Sequence, residues 1–88
     1  MERDAISKKL EEFIRDRFQV TATDKHFSRD VHLFEEGYVD SVGVVELIAF
    51  VEANFDVEFP DDFLFSEEFT RINGISGQVK SLLDGGTP

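Results

Sequence analysis

The chain has 88 residues, of which 41% are hydrophobic, 19 are acidic and 9 are basic, so its formal net charge is -10. This length allows one small domain with a single modest core. The negative charge argues against a nucleic-acid partner, whose phosphates would be repelled, and the absence of cysteine excludes disulfide bonds and thiolate metal sites.

The same totals indicate the kind of partner and the compartment. An acidic surface favours basic protein partners, since opposite charge speeds their encounter, although it is also what solubility alone would select. The polar start of the chain is unlike a signal peptide, and no apolar run approaches the ~18 residues of a membrane span. We therefore expect a soluble, cytoplasmic monomer.

The first predicted helix covers residues 3–18, with Asp4 as a candidate N-cap. The next segment, residues 19–40, loses the helical periodicity and predicts a long first loop, a feature that is uncommon in compact domains and often functional. We expect scattered apolar residues to pin this loop to the core, with room for one helical turn. The apolar face of the helix consists of Ile6, Leu10, Phe13, Ile14 and Phe18.

The second predicted helix covers residues 41–55 and carries two apolar stripes on nearly opposite sides. One stripe is the expected core face. The other either packs under the long loop or forms an exposed patch offered to partners, and the two interpretations are compatible if the loop covers one edge. The core stripe consists of Val44, Leu47, Ile48, Val51 and Phe55; the second consists of Val42, Val45 and Ala49, with Glu46 and Glu52 beside it.

The last third of the chain is predicted to be helical in short pieces. Pro60 favours an extended segment before it, and residues 61–65 read as a loop with room for a turn of helix. Ser66 is a candidate N-cap of a short third helix. Asn73 is a candidate N-cap of a last helix that covers residues 74–83.

These elements predict an all-α four-helix bundle with three longer helices, one short helix and a long first loop. We expect residues 1–84 to form a single domain and residues 85–88 to be a flexible C-terminal tail.

Motifs for catalysis are absent from the sequence. His26 and His32 are the only histidines, and their spacing does not suit zinc. A triad of Ser41, His32 and an aspartate can be written down, but no nucleophile elbow or oxyanion loop supports it. The acidic pairs do not match a calcium loop. We therefore expect a protein without catalytic residues and without a bound metal.

Ser41 is the most informative position. It stands where a turn gives way to the most apolar helix, at the positive end of the helix dipole, where a phosphate is favoured. One interpretation is a plain helix N-cap, with Asp40 as a turn residue. The other is a point at which a group is attached.

Several segments, in their order along the chain, resemble the acyl carrier protein family. They are residues 33–42, which contain the Asp40-Ser41 pair at the start of the second helix, then residues 45–47 and residues 55–60. The resemblance covers essentially the whole chain, including the long loop and the short third helix.

The resemblance implies a 4'-phosphopantetheine arm joined to Ser41 as a phosphodiester. A separate phosphopantetheinyl transferase would move it from coenzyme A with magnesium, and Asp40 would help that enzyme to dock or to bind its metal. The thiol of the arm would carry the cargo as a thioester, which suits a chain without cysteine. The protein itself would be a non-catalytic carrier.

The resemblance also implies a recognition face for basic patches on loading and transfer enzymes. Gly43 departs from fatty-acid carriers, which commonly have an acidic residue there, and so do Ala53 and Asn54. We interpret these departures as a thinner acidic face that serves other partners than the standard fatty-acid set. The predicted face consists of Val42, Val45, Glu46, Ala49 and Glu52.

The cargo has two candidates. One is an acyl intermediate of a specialised lipid or secondary-metabolite pathway. The other is an amino acid, since the length of residues 61–73 is similar to that in D-alanyl carrier proteins. A third hypothesis, from another class, is a small acidic helical interaction module without a prosthetic group.

Overall fold

The computed structural model describes residues 2–85 and contains only helices and loops in that range. The predicted all-α architecture with three long helices is confirmed. Of the predicted tail, residues 86–88 lie outside the described residues. The elements are α1 (Arg3–Arg17), α2 (Ser41–Phe55), α3 (Asp61–Leu64), a 3-10 helix (Glu67–Thr70) and α4 (Ile72–Leu83).

The core is built from one apolar stripe of each long helix together with three anchors from the loop. The stripes follow helical spacing, which is why the sequence pattern located them. Burying an aliphatic or phenyl side chain stabilises the fold by about 1.5–3 kcal/mol. The buried apolar residues are Ile6, Leu10 and Ile14 of α1, Leu47, Val51 and Phe55 of α2, Ile72, Ile75 and Val79 of α4, Phe27, Leu33 and Val39 of the loop, and Phe59 and Phe69 from the segment between α2 and α4.

The contact between α1 and α4 contains a buried pair of hydroxyls. Ser7 Oγ and Ser76 Oγ lie 2.5 Å apart, and both side chains are almost inaccessible to solvent. Ser76 Oγ lies 2.9 Å from the carbonyl of Ile72, and Ser7 Oγ lies 3.3 Å from Asn73 Oδ1, so neither hydroxyl lacks a partner. Two small polar residues therefore let the helices approach closely without an unsatisfied polar group.

The predicted start of the last helix is wrong, because α4 begins at Ile72 and Asn73 lies inside it. The backbone N–H of Asn73 donates to the carbonyl of Arg29 at 3.0 Å, and its Nδ2 donates to Asp30 Oδ1 at 2.8 Å. These bonds tie the long loop to α4. The side chain of Asn73, which local propensity favours as a helix cap, is therefore used in a tertiary contact instead.

Of the two other predicted caps, the one at Asp4 is wrong, and the one at Ser66 is correct in position but makes no side-chain cap bond. The N-cap of α1 is Glu2, without a side-chain cap bond, and Asp4 lies in the first turn, where it pairs with Arg29 at 2.8 Å. Ser66 precedes the 3-10 helix, but its hydroxyl donates backwards to the carbonyl of Phe63 at 2.7 Å. Both polar side chains satisfy a contact other than the helix end.

Gly74 permits the close packing of α4 on the 3-10 helix. A Cβ at this position would lie 1.9 Å from the carbonyl oxygen of Glu68, which is backbone and cannot swing away. Glycine in a helix costs about 1 kcal/mol relative to alanine. At Gly74 this cost permits a close backbone contact that alanine would block.

The long loop, residues 18–40, is held by backbone bonds rather than by regular structure. One helical turn is present, closed by the bond from Glu36 N–H to the carbonyl of His32 at 3.0 Å. Leu33 donates to the carbonyl of Thr70 at 2.8 Å and accepts from both Tyr38 and Val39 at 3.0 Å. These bonds fix the position of the loop immediately before Asp40, at the start of α2.

Candidate functional site

Ser41 is the exposed first residue of α2, and it does not cap the helix. Asp40 does so: its backbone is extended, and its Oδ1 accepts from the N–H of Gly43 at 2.7 Å. The structure thus assigns capping to Asp40. The hydroxyl of Ser41 is left at the surface, where an attached group meets no obstacle from the helix.

The start of α2 suits a phosphate joined to Ser41. The first turn of the helix contains no acidic residue. The N–H groups of the first turn of a helix lack intrahelical partners, and the dipole there favours a negative charge by about 0.3–1 kcal/mol. The N–H of Gly43 is bonded to Asp40, but the positive end of the helix dipole beside an exposed hydroxyl still fits a phosphodiester.

Gly43 lies buried one half-turn beyond Ser41, against the ring of Phe18. A Cβ on Gly43 would lie 2.5 Å from Phe18 Cε1 and 3.0 Å from Val39 Cγ1. The interpretation that Gly43 thins an exposed acidic face is wrong, because this position faces the protein interior. Its role is to admit an aromatic ring beneath the site.

Arg17 makes a second contact between the end of α1 and α2. Its Nη2 donates to Glu46 Oε1 at 2.8 Å, and its Nε donates to the other carboxylate oxygen. The neighbouring Phe18 ring packs under the first turn of α2. Arg17, the last residue of α1, and Phe18, which follows it, therefore both contact the helix that bears Ser41, and neither was predicted to belong to the site.

The predicted recognition face divides into exposed apolar residues and partnered acids. Val42 and Val45 are each 67% exposed, and Ala49 is exposed as well, so the long loop leaves this stripe uncovered. Glu46 is paired with Arg17, and Glu52 accepts from the N–H of Phe59 at 3.0 Å. The binding of partners by this face stays a prediction.

A cluster around Asp24 stabilises the turn that leads to the site. Tyr38 donates its hydroxyl to both carboxylate oxygens of Asp24, at 3.0 and 3.2 Å. The N–H groups of His26 and Phe27 donate to Asp24 Oδ1 at 2.9 and 3.1 Å. His26 Nε2 in turn lies 2.6 Å from Glu36 Oε1.

The pKa values of this cluster follow from these contacts. Partial burial raises the pKa of the Asp24 carboxyl, but the hydrogen bonds from Phe27, His26 and Tyr38 together outweigh it and hold the pKa below its ordinary value. Partial burial, and then the bond to Asp24, raise the pKa of Tyr38. Sequence reasoning missed this cluster, although an aspartate two residues before a backbone donor is a known turn signal.

Charge is distributed unevenly along the chain. Residues 30–70 contain twelve acidic residues and no lysine or arginine, whereas the remaining residues contain seven acidic and nine basic ones. The arginines that pair with this stretch come from outside it: Arg17 contacts Glu46, and Arg71 contacts Glu68 at 2.6 Å. The segment around Ser41 is therefore the negative part of the molecule.

Within residues 2–85, no group of three acidic or histidine side chains is arranged to hold a metal ion. Both histidines have contacts within the loop, since His32 Nδ1 accepts from the N–H of Glu35 at 3.0 Å and His26 pairs with Glu36. None of the helices in this range has the length and apolar character needed to cross a membrane.

Residues 8–79 match the model of the family described as "Phosphopantetheine attachment site". The D-alanyl carrier protein of Streptococcus uberis is 35% identical over 74 residues, which is 83% of this chain and 94% of that protein. The D-alanyl carrier protein of Lactococcus lactis subsp. cremoris is 34% identical over 55 residues, 62% of this chain and 70% of that protein. The aminoacyl carrier protein of Agrobacterium fabrum is 40% identical over 47 residues, 53% of this chain and 57% of that protein.

Proposed function

Since this chain belongs to the phosphopantetheine-attachment family of carrier proteins, we propose that it carries an amino acid as a thioester on a 4'-phosphopantetheine arm joined to Ser41. The family fixes the prosthetic group, so an interaction module without one is no longer a candidate. The attachment residue, the cargo and the partner enzymes are the parts that we propose.

The exposure of Ser41 at the first position of α2 carries the proposal for the attachment residue. Ser7 and Ser76 are buried between helices, and the hydroxyl of Ser66 is bonded to a backbone carbonyl. Ser81 is exposed, but it lies within α4 and away from any helix N-terminus. Ser41 alone among these combines an accessible hydroxyl with the free N–H groups of a first helical turn.

Attachment is a phosphoryl transfer in which Ser41 is the acceptor. Its Oγ forms a bond to the phosphorus that bears the pantetheine in coenzyme A, the pyrophosphate bond breaks, and adenosine 3',5'-bisphosphate leaves. The hydroxyl proton passes to a base of the transferase. Asp40 caps the helix through its bond to Gly43. Its role in this proposal is to help the transferase to dock or to bind its magnesium.

The arm, once attached, supplies a terminal thiol that holds the cargo as a thioester. The chain contains no cysteine, so no thiol of its own competes for the cargo. Its own residues position the helix that bears the arm: Asp40 caps α2, Phe18 packs under its first turn, and Arg17 at the end of α1 bonds to Glu46.

An amino acid is the cargo that we favour. The matched relatives are named D-alanyl and aminoacyl carrier proteins. On the core face of α2, Leu47 and Val51 are inaccessible and Phe55 is 6% exposed. A long acyl chain would have to displace such side chains from a closely packed interior, whereas a short polar cargo needs no room there.

The second candidate is an acyl intermediate of a specialised lipid or secondary-metabolite pathway. The observation in its favour is an open groove of about 310 Å³ over the stacked rings of Phe13 and Phe50, whose centroids are 4.0 Å apart. Lys9, Glu12 and Asp16 line the same groove, and these charges suit a polar group better than a hydrocarbon chain.

The attachment is tested by intact mass after incubation with coenzyme A and a broad-specificity phosphopantetheinyl transferase. We expect one phosphopantetheine on the wild type, none on Ser41→Ala and one on the control Ser81→Ala. An unmodified wild type, or a mass gain that survives Ser41→Ala, would contradict the proposal.

The cargo is tested on the modified chain. It is incubated with ATP and either D-alanine, another amino acid or a fatty acid, together with purified loading enzymes of each type, and the thioester is read by intact mass. We expect an aminoacyl adduct that hydroxylamine removes. A chain that accepts only the fatty acyl group would establish the second candidate instead.

A further inference from the structure

Phe65 is the most exposed large apolar side chain in the described part of the molecule. It is 91% exposed, compared with 67% for Val42 and Val45 and 39% for Leu83. The other nine phenylalanines are all buried or half-buried. Exposing a phenyl ring forgoes the stabilisation that burial gives, about 1.5–3 kcal/mol, so this side chain contributes nothing comparable to the folding of the isolated chain.

The backbone around Phe65 is held by hydrogen bonds. Its N–H donates to the carbonyl of Asp62 at 3.3 Å, and the carbonyl of Phe63 accepts from both the N–H and the hydroxyl of Ser66, at 2.9 and 2.7 Å. On the inner side of the segment, Phe63 packs against Phe59 with ring centroids 5.1 Å apart. A backbone that is already hydrogen-bonded needs little further ordering when the ring is bound, which suits a binding anchor.

The charges around Phe65 determine what can cover it. Asp61, Asp62 and Glu67 are exposed acids within four residues of it, and no lysine or arginine occurs between positions 30 and 70. Nucleic acid, an anionic membrane or a second copy of this chain would bring further negative charge to the ring. The complementary surface is an apolar pocket of a protein, rimmed by lysine and arginine.

We propose that Phe65 is an anchor by which the chain docks on such a pocket of its phosphopantetheinyl transferase. The inference rests on the proposed function, because it assumes that Ser41 is modified. The transferase meets the chain before any arm exists, so its affinity for the carrier must come from the protein surface alone. Enzymes that act later also hold the arm, and therefore depend less on such an anchor.

The size of the molecule is consistent with one enzyme contacting both Ser41 and Phe65. Its principal extents are 37 × 24 × 20 Å. A standard interface covers about 800 Å² of each partner, which is a patch comparable in width to this molecule. The anchor therefore adds a contact outside α2, where the recognition face was predicted.

The test is the steady-state kinetics of arm attachment, with the unmodified chain as the varied substrate of the transferase. We expect Phe65→Ala to raise KM about tenfold while kcat is retained, because a binding contact away from the reacting atoms is lost. The KM of Phe65→Leu should lie between that of the wild type and that of Phe65→Ala. The control Leu83→Ala removes another exposed apolar side chain, and should resemble the wild type in KM.

Truncation of so exposed a side chain should leave the unfolding midpoint unchanged. A higher KM of Phe65→Ala would therefore not be caused by a loss of stability. If the wild type is modified and Phe65→Ala has the same KM, the anchor is wrong and the function of Ser41 stands. If the wild type is not modified, both are wrong. A wild-type dimer in sedimentation that Phe65→Ala dissociates would assign the ring to self-association and also overturn the proposal.

Discussion

The α1–α4 pair and residues 30–70 use their polar groups in opposite ways. Between α1 and α4 the hydroxyls of Ser7 and Ser76 bond to each other in the interior, and Arg3 donates to the carbonyl of Asn73 at 2.8 Å. Residues 30–70 contain twelve acidic residues and no lysine or arginine, and this stretch exposes Val42, Val45 and Phe65. One region satisfies its groups internally, whereas the other leaves charge and apolar surface for a partner.

This difference suggests that the α1–α4 region mainly determines stability, whereas the exposed residues of 30–70 mainly determine the recognition of partners. Substitutions in the α1–α4 region should change the free energy of unfolding, because its side chains are closely packed and its buried polar groups have hydrogen-bond partners. Substitutions of exposed residues in residues 30–70 should change the rates with partner enzymes and leave the fold intact. Positions that lie between the regions should change both quantities.

The largest effect is expected at Gly74, where α4 meets the 3-10 helix. Gly74→Ala would place a Cβ 1.9 Å from the carbonyl oxygen of Glu68, so backbone has to move. Overpacking of this kind costs about 1–3 kcal/mol or more. Unfolding in urea would measure it as a lower midpoint concentration.

Gly77→Ala is the matched control for that substitution, in the same helix. Its Cβ would lie 3.2 Å from the guanidinium of Arg3, the flexible end of a long side chain. We expect an unchanged or raised stability, by up to about 1 kcal/mol, since alanine favours helix. Equal losses at Gly74 and Gly77 would show that helix propensity, and not the contact with the 3-10 helix, governs Gly74.

The next effect concerns Gly43, which joins the two regions. Gly43→Ala would place a Cβ 2.5 Å from Phe18 Cε1. We expect a loss of about 1–3 kcal/mol in stability together with slower arm attachment, because the first turn of α2 shifts. Thermal unfolding and the mass assay measure the two quantities.

The matched test combines Gly43→Ala with Phe18→Leu, which shortens the side chain beneath it. If the clash is the cause, the double variant should be more stable than the sum of the single losses predicts, since residues in contact are not additive. Strict additivity would mean that Gly43 is required for its backbone and not for the ring of Phe18.

A smaller effect is expected for charge on the recognition face. Glu46→Lys should slow attachment by several-fold and weaken its dependence on salt, whereas Glu12→Lys on α1 should have little effect. Because Glu46 also pairs with Arg17, Arg17→Ala is needed as a control for the broken ion pair. If Arg17→Ala slows attachment as much as Glu46→Lys does, helix positioning and not docking charge is responsible.

The periodic parts of the fold could be predicted from the sequence. The bounds of α2 were predicted as residues 41–55 and are found at Ser41–Phe55, because a turn and an apolar stripe agree there. The apolar face of α1 was predicted as well, and Ile6, Leu10 and Ile14 are buried.

Some caps and close contacts could not be predicted, because they depend on distant residues. Asn73 looked like a cap, but it bonds to Asp30, 43 positions away. Gly43 looked like a missing acid until Phe18 was found beneath it. The exposure of Phe65 could not be predicted either, since composition does not say which ring faces outward.

The smallest effect is expected in the loop, and it depends on pH. The pKa of Asp24 lies below its ordinary value of 3.8, because hydrogen bonds from Phe27, His26 and Tyr38 outweigh the effect of burial. A carboxyl whose pKa is depressed in the folded state contributes stability above its ordinary pKa and loses it as the pH falls through the folded value. Acid below pH 3.8 should therefore release the turn before Ser41 while the α1–α4 pair persists. Hydrogen exchange of the Phe27 amide would detect this opening.

In the variant Asp24→Asn the charge at position 24 is absent at every pH. The Phe27 amide should therefore exchange faster at neutral pH than in the wild type, and its exchange should depend less on acid. An unchanged pH profile in that variant would place the acid sensitivity in another carboxyl, such as Glu11, whose pKa is lowered foremost by its bond to Arg29.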